Sequence, residues 1–210
     1  MIDWVTVSSL ATAGGTLVLA VATFASVRSS NKSARVAERA LMIGLRPLLV
    51  PSRPQDPDQT VGFADEFKVN VVGGGATAGI ADGAVYLTMS VRNAGNGLAV
   101  LRGWHVSTSF EPRAGHAGVD DFTPHTRDLY VAPADVGFWQ GALRDPAVPI
   151  FAAVRDAVTD GQRLMLELLY GDAEGGQRTI SRFTLLPSGE VGKWTSAVSR
   201  HWHLDAPNPR

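Results

Sequence analysis

The chain contains no cysteine among its 210 residues. Without thiols it has no disulfide framework, no thiolate zinc site and no cysteine nucleophile. Lysine is almost as scarce and occurs only at Lys32, Lys68 and Lys193. The formal net charge is -1, which argues against nucleic-acid binding because that function needs a basic face to neutralise phosphates. We therefore expect no nucleic-acid partner and one ordinary domain with its own core.

Positive charge is concentrated in one short segment, residues 28–46. Its charged side chains are Arg28, Lys32, Arg35, Arg39 and Arg46 against Glu38 alone, a local charge of +4. Residues 47–210 hold 14 basic and 18 acidic side chains, so they carry a net charge of -4. The near-neutral average therefore hides a basic segment followed by an acidic remainder.

A long uncharged run precedes the basic segment. No charged residue lies between Trp4 and Val27, and a helix that crosses a hydrocarbon core of ~30 Å needs about 20 mainly apolar residues. Trp4 suits the membrane interface at one end of the run, and Arg28 closes the other end. The sequence predicts a transmembrane anchor over residues 1–28, with residues 4–27 in the lipid bilayer.

A cleaved signal peptide is the alternative, because Ala20-Val21-Ala22 resembles a small-residue cleavage site. A signal peptide needs a positive start, but Asp3 is the charged residue that precedes the apolar run. The basic cluster follows the run, so the positive-inside rule places the N-terminus outside and residues from 28 onward in the cytoplasm. Because arginine outnumbers lysine, as in GC-rich bacterial genomes, we expect a single-pass protein of the bacterial cell membrane.

Residues 29–46 predict a second, short juxtamembrane helix. Three residues can act as its N-cap: Ser29, Ser30 and Asn31. Pro47 disfavours helix at Arg46 and should end it. Four basic side chains can bind anionic lipid headgroups, at about 1 kcal/mol each near the surface: Arg28, Lys32, Arg35 and Arg39. The alternative, a plain connector whose charges only set topology, is equally compatible with the sequence.

After Pro47, short alternating apolar runs are separated by glycine, proline and aspartate. The predicted strands lie at 67–71, 85–91, 98–106, 129–131, 138–139, 164–170, 179–186 and 194–203. The glycine-rich turn at 171–176 is a strong hairpin signal. The segments predicted as linkers or loops are 51–60, 73–83 and 111–126, and a helix is predicted at 147–158. The pattern predicts an all-β domain over residues 47–210, an immunoglobulin-like antiparallel β-sandwich.

Three segments carry a resemblance to a known group of proteins. They are Val91-Arg92-Asn93-Ala94-Gly95-Asn96-Gly97-Leu98-Ala99, the stretch 175–183 (Gly-Gly-Gln-Arg-Thr-Ile-Ser-Arg-Phe) and the stretch 200–205 (Arg-His-Trp-His-Leu-Asp). The first resembles a strand–turn–strand motif of many small bacterial membrane-anchored β-domains. The other two, with the anchor-plus-domain layout, resemble uncharacterised actinobacterial single-pass membrane proteins that have a C-terminal β-sandwich-like domain. The resemblance spans most of the chain. It implies architecture only, because that family has no established activity.

We predict no metal site, although one group of side chains has the spacing of metal ligands. His201 and His203 are two residues apart, so on a strand they share a face and can both ligate a metal. His125, Asp120 and Asp121 can complete the site if the long loop folds nearby. The alternative is a half-exposed terminal strand with Trp202 turned into the core.

Motifs for catalysis and cofactor binding are missing. The chain lacks the P-loop, the Gly-x-Ser-x-Gly elbow and the His-Glu-x-x-His pattern. The glycines at 73–75 and 95–97 are interpreted as turns that need positive φ, and four tryptophans are expected in the core: Trp104, Trp139, Trp194 and Trp202. We expect no enzyme activity and no cofactor.

The leading hypothesis is a membrane-anchored module that binds an unknown protein partner. Its contacts would come from sheet edges or from the loops at 73–83 and 111–126. The alternatives are a small-molecule or metal sensor that uses His201 and His203, or an extracytoplasmic envelope or adhesion module if topology is reversed.

Overall fold

The computed structural model describes residues 3–110, 115–190 and 192–205, apart from the side chains of Trp4, Thr6 and Ala11. The Trp4 ring, which the sequence places at a membrane interface, therefore lies outside the described side chains. Residues 111–114 of the predicted loop 111–126 also lie outside the described residues. Contacts between residues divide the chain into two units, residues 1–44 and residues 45–210.

The first unit contains one continuous helix, α1, from Trp4 to Gly44. The prediction of a separate juxtamembrane helix that starts at Ser29–Asn31 was wrong. Serine and asparagine cost only about 0.5 kcal/mol each inside a helix, whereas a new helix must overcome a costly nucleation step. Propagation from the apolar run therefore continues through these residues, and the helix ends at Gly44, shortly before Pro47.

Helix α1 is long and apolar enough to span a membrane. Its 41 residues correspond to about 60 Å at 1.5 Å per residue, roughly twice the thickness of a hydrocarbon core. The candidate span has a mean hydropathy of 1.8, and its side chains are unburied. Leu19 and Phe24, for example, are 70% and 69% exposed.

The described residues of the second unit form eleven strands, one α-helix and one 3-10 helix. The strands are β1 Leu49–Pro51, β2 Gln59–Gly62, β3 Lys68–Val71, β4 Gly75–Ala81, β5 Ala84–Asn93, β6 Ala99–Ser107, β7 Thr123–Val131, β8 Val136–Leu143, β9 Leu164–Gly171, β10 Thr179–Pro187 and β11 Trp194–His203. The helices are the 3-10 turn Val119–Asp121 and α2 Phe151–Thr159. All strand pairs are antiparallel. The coarse prediction of a mostly antiparallel β domain is confirmed.

Nine strands form one sheet, and β2 and β3 form a separate hairpin. The order in the large sheet is β1-β5-β4-β11-β10-β9-β6-β7, with β8 also paired to β5. Strand β5 pairs with β8 along one of its edges and with β4 and β1 along the opposite edge. Strand β8 is therefore one end of the sheet, and β7, the last strand in the order, is the other end. The rings of Trp104 on β6 and Trp139 on β8 are 5.6 Å apart. The sheet therefore curls until its two ends face each other.

The main core lies inside this curled sheet, and α2 contributes Phe151 and Val154 to it. Strands β5 and β9 are buried on both faces. The β2–β3 hairpin covers the outer face of β5 through a cluster that includes Val61 and Tyr86. Residues 117–122 cover the outer face of β9, where Phe122 packs in a cluster with Trp202. The four tryptophans predicted in the core are all buried.

The segment 73–83, predicted as a glycine-rich linker, contains strand β4. The prediction failed because the strand is built from small residues, of which Ala76 and Ala78 are buried against the core. Asp82 and Gly83 have φ of 48° and 75° and form a two-residue turn between β4 and β5. Residue pairs of this type favour tight hairpin turns whose backbone needs positive φ at both positions.

The glycines of the motif at 91–99 serve close packing rather than positive φ, contrary to the interpretation from sequence. Positive φ occurs at Gly74 but not at Gly95 or Gly97. A Cβ atom at Gly95 would overlap the carbonyl oxygen of Arg46, and one at Gly97 would overlap that of Leu45. The absence of these side chains lets the turn after β5 lie directly against the segment that precedes β1.

Candidate functional site

His201 and His203 lie at the end of β11, where both side chains are half-buried. The Nδ1 atom of His201 is 2.6 Å from the Ser181 Oγ, which is 2.7 Å from the Tyr170 hydroxyl. The Leu49 amide in turn donates to that hydroxyl over 3.1 Å. Burial, followed by the charge of His203, lowers the pKa of His201, and burial raises the pKa of Tyr170 to about 12. The group is a chain of hydrogen bonds that connects β11, β10, β9 and β1.

The contact between Ser181 and His201 has the geometry of a nucleophile and its base. However, the Ser181 side chain is completely buried, and the hydroxyl it faces belongs to the buried Tyr170. A substrate carbonyl cannot approach a hydroxyl in that position. We interpret the pair as part of the structure of the sheet.

The proposed metal ligands are not brought together. His125 lies on β7, four strands away from β11 in the sheet order, which corresponds to roughly 19 Å at about 4.8 Å per strand. Asp120 and Asp121 lie in the 3-10 turn that leads to Phe122, whose ring packs with Trp202 rather than with the two histidines. Within residues 3–110, 115–190 and 192–205, no group of three or more histidine or acidic side chains is positioned to hold a metal ion.

The structure instead places His125 in a cavity between the two ends of the sheet. This seam cavity lies between β7 and β8 and has a volume of about 380 Å³. Its lining includes Trp104, Thr123, His125, Thr126, Arg127, Gln140, Gly141 and Arg144, with Phe63 and Ala64 from the turn between β2 and β3. A second cavity, of about 580 Å³, shares Trp104 and Thr123 with it and extends toward residues 148–150.

An irregularity in β7 turns residues 125–128 away from the regular ladder. Leu101 of β6 pairs with Leu129, and Gly103 pairs with Pro124, so four residues of β7 lie opposite Arg102 alone. Extra residues of this kind bend a strand and redirect its side chains, and they occur often beside binding sites. The bulge places His125 and Arg127 in the lining of the seam cavity.

Arg127 connects the two ends of the sheet. Its Nη2 donates to the Gln140 Oε1 over 2.7 Å and to the Gly62 carbonyl oxygen over 3.2 Å. Its guanidinium carbon lies 5.8 Å from the centre of the Phe138 ring. Among the described residues, no carboxylate forms an ion pair with Arg127. The side chain therefore brings an unbalanced positive charge to the cavity.

His125 is the second unusual group in the seam cavity. Its Nε2 atom is buried and has no hydrogen-bond partner among the described residues. Burial, followed by the nearby charge of Arg127, lowers the pKa of His125 to about 4. The ring is therefore neutral near pH 7, and one polar atom is left unsatisfied, which is uncommon for a buried group.

Arg144, by contrast, has an acidic partner. Its Nε donates to the Asp65 Oδ2 over 3.0 Å, and the Tyr86 hydroxyl donates to the same oxygen over 2.6 Å. The hydrogen bonds from Tyr86 and then from Arg144 lower the pKa of Asp65 to about 2. Because Asp65 compensates Arg144, the net positive charge of the cavity comes from Arg127.

Sequence reasoning selected His125 but assigned it to the wrong neighbours, and it missed Arg127, Gln140 and Arg144. Proline and a charged residue within one strand, as at Pro124 and Arg127, are features of protected edge strands. That signal marks an edge strand, but it does not say which strand lies across from it.

No protein-family model matches this chain, and neither the curated proteins nor the solved structures compared with it gave a match. Its function therefore has to be argued from the geometry of the described residues.

Proposed function

We propose that this protein is a membrane-anchored, non-enzymatic interaction module that binds an extended, acidic segment of another protein along strand β8. One observation carries the proposal. Strand β8 pairs with β5 along one edge, and in the described part of the chain no strand pairs with its other edge. That free edge lies beside the seam cavity, which supplies pockets for side chains of an added strand.

The two strands at the ends of the sheet differ in how their edges are protected. Strand β7 contains Pro124, Arg127, Asp128 and a bulge, all of which discourage pairing with another chain. Strand β8, Val-Gly-Phe-Trp-Gln-Gly-Ala-Leu, has no proline and no charge. Its eight residues are enough for a regular ladder, and its free backbone groups provide affinity for an extended segment. Arg127 provides the charge complementarity to an acidic side chain in that segment.

Hydrogen exchange tests the docking proposal on the full chain in lipid nanodiscs. A photo-cross-linking residue at Gln140 is first used in cells to identify the partner segment, with the same residue at the exposed Asp156 of α2 as the matched control. A synthetic peptide of the cross-linked segment is then added to the nanodiscs. We expect the alternate backbone amides of residues 136–143 that face away from β5 to exchange at least tenfold more slowly, because these amides gain hydrogen-bond acceptors. Equal cross-linking at both positions, or protection that excludes residues 136–143, would contradict the proposal.

We also propose that the curled sheet is an immunoglobulin-like sandwich of two layers. Strands β4 and β11 pair through only two residue pairs, Ala76 with Trp194 and Gly75 with Thr195. This short connection supports a division of the sheet into one layer of β8, β5, β4 and β1 and another of β11, β10, β9, β6 and β7. An experimental structure with strand angles outside the range of packed sandwich layers, about 30° between aligned sheets, would exclude this assignment.

We propose that α1 crosses the bacterial cell membrane once and that the β domain lies in the cytoplasm. The basic residues that follow the apolar run support this orientation by the positive-inside rule. Protease added to intact cells should leave the β domain uncut, whereas protease added to inverted membrane vesicles should digest it. Cleavage in intact cells would instead support the extracytoplasmic envelope alternative.

The position of each basic residue along α1 determines whether its side chain can reach anionic lipid headgroups. The four side chains are spaced by 4, 3 and 4 residues along one face of α1: Arg28, Lys32, Arg35 and Arg39. At 1.5 Å per residue, Arg39 lies about 16 Å beyond Arg28 along the axis, which exceeds the screening length of about 8 Å at physiological salt. The double variant R28Q/K32Q should therefore lose more co-purified anionic lipid than R35Q/R39Q, as measured by native mass spectrometry. An equal loss would show that the helix lies along the membrane surface at this point.

A further inference from the structure

We infer that the seam cavity is a carboxylate-binding site in which Arg127 supplies the charge and His125 and Gln140 supply further polar contacts. The inference rests on the proposed function in one respect, because one possible source of the carboxylate is an acidic side chain of the docked segment. A free small-molecule carboxylate is the other source, and both would be recognised by the same chemistry.

The donor arrangement of Arg127 is the first observation. Both of its hydrogen bonds use Nη2, which is held by the Gln140 side chain and the Gly62 carbonyl oxygen. These contacts fix the guanidinium plane and leave Nε and Nη1 without an acceptor in the described part of the chain. Charge-assisted hydrogen bonds from a guanidinium to a carboxylate are among the strongest that side chains form. Arg127 is therefore held in place with donors still available.

The buried Nε2 atom of His125 is the second observation, and it is independent of the first. An orphaned polar atom in a protein interior needs a partner, because leaving it unsatisfied costs free energy. Its cavity, about 380 Å³ in volume, is larger than a single water molecule requires. In the tautomer that carries hydrogen on Nε2, the ring can donate to a carboxylate oxygen. A carboxylate in the cavity would thus satisfy both His125 and Arg127.

The charge in the cavity selects a carboxylate over a phosphate. The charged groups that face His125 are Arg127 from its own strand and Arg144 from the end of β8, and Asp65 already neutralises Arg144. One positive charge is left, which matches one carboxylate. A phosphate dianion would leave one negative charge uncompensated in a partly enclosed site.

Calorimetric titration of the full chain in lipid nanodiscs tests the inference. The probes are butyrate, which carries one carboxylate, a blocked tripeptide with a central glutamate, and inorganic phosphate as the competing anion. We expect saturable binding of at least one of the two carboxylates, and at least tenfold weaker binding to the R127Q variant. The matched control is R155Q, because Arg155 lies on the surface of α2 and forms an exposed ion pair with Asp156. Its affinity should equal that of the unmodified protein.

A second measurement does not depend on any variant. Nuclear magnetic resonance of histidine-labelled protein should show the His125 signals shifting as the carboxylate is added, and the pKa of His125 should rise from its low value because an anion stabilises the protonated ring. Signals from His201 and His203 should stay unchanged. Binding of butyrate but not of the tripeptide identifies a free small molecule as the ligand, and tighter binding of the tripeptide identifies an acidic side chain.

Three results would overturn the inference: no saturable binding of either carboxylate, tighter binding of phosphate than of both, or binding that is unchanged in R127Q. These outcomes are separable from failure of the docking proposal, which is read from exchange of the backbone amides of β8. A carboxylate can bind without an added strand, and a strand can add without using Arg127.

Discussion

Replacement of Glu167 by alanine is expected to lower the free energy of unfolding by about 3–5 kcal/mol, because it leaves the charge of a buried ion pair uncompensated. Glu167 is 1% exposed and lies on β9. One of its carboxylate oxygens accepts from the Arg182 Nε over 2.8 Å, and the other accepts from the Ala117 amide over 2.8 Å. The replacement therefore removes the ion-pair partner of Arg182 and the hydrogen bond that holds residues 117–122 over β9.

Arg182 makes this effect large, because it is itself enclosed. Its guanidinium carbon lies 4.7 Å from the centre of the Trp202 ring, and its Nη2 donates to the Gly115 carbonyl oxygen over 2.6 Å. Chemical denaturation of the full chain in detergent micelles measures the effect. E190A is the matched control, since Glu190 and Lys193 form an exposed ion pair, and such pairs contribute little. A loss as small in E167A as in E190A would show that the buried pair does not stabilise the domain.

Replacement of Asn93 by alanine is expected to cost about 3 kcal/mol or more, since each buried group left without a partner costs about 1–3 kcal/mol. Asn93 is completely buried at the end of β5. Its Oδ1 accepts from the amides of Leu48 and Gly95, and its Nδ2 donates to the carbonyl oxygens of Gly97 and Val131. The side chain thus connects the segment before β1, the turn after β5 and the end of β7.

The N93D variant separates the two halves of this network. Aspartate keeps the acceptors for Leu48 and Gly95 but loses both donors, so its unfolding free energy should also fall. N70A serves as the control, because Asn70 is an exposed residue on β3. Thermal unfolding followed by circular dichroism compares the three variants. A stability of N93A equal to that of N70A would contradict the role assigned to Asn93.

The strand predictions succeeded where apolar side chains alternate with polar ones, or where a short apolar run is bounded by turn residues, as in β9. Strand β11 runs from Trp194 to His203 as predicted, and β9 and β10 form the predicted hairpin across residues 171–176. Alternation is a local property that follows directly from the two-residue period of a strand. Strand β4 was missed because its alanines and glycines carry no such alternation, and its pairing with β5 depends on packing rather than on composition.

The helical region was predicted in the right place, but as an anchor over residues 1–28 and a separate helix over residues 29–46 rather than as the single helix α1. Local signals such as Ser29 and Asn31 can start a helix, yet they cannot stop one that has already formed. The histidines show a related limit. The spacing of His201 and His203 on β11 was interpreted correctly. His125, however, lies on β7 at one end of the sheet, and no local sequence pattern gives the distance between two strands.

By itself the sequence determined an apolar helix long enough to span a membrane, a basic segment after it and a β domain with four buried tryptophans. Each of these follows from the local spacing of charged and apolar residues. Only the tertiary structure decided that β7 and β8 each have one edge without a strand partner among the described residues, and that the bulge turns His125 and Arg127 into a shared cavity. It also decided that Gln140 and Gly62 hold Arg127 there. These features depend on the order in which distant strands pair, and that order is set by packing across the whole domain.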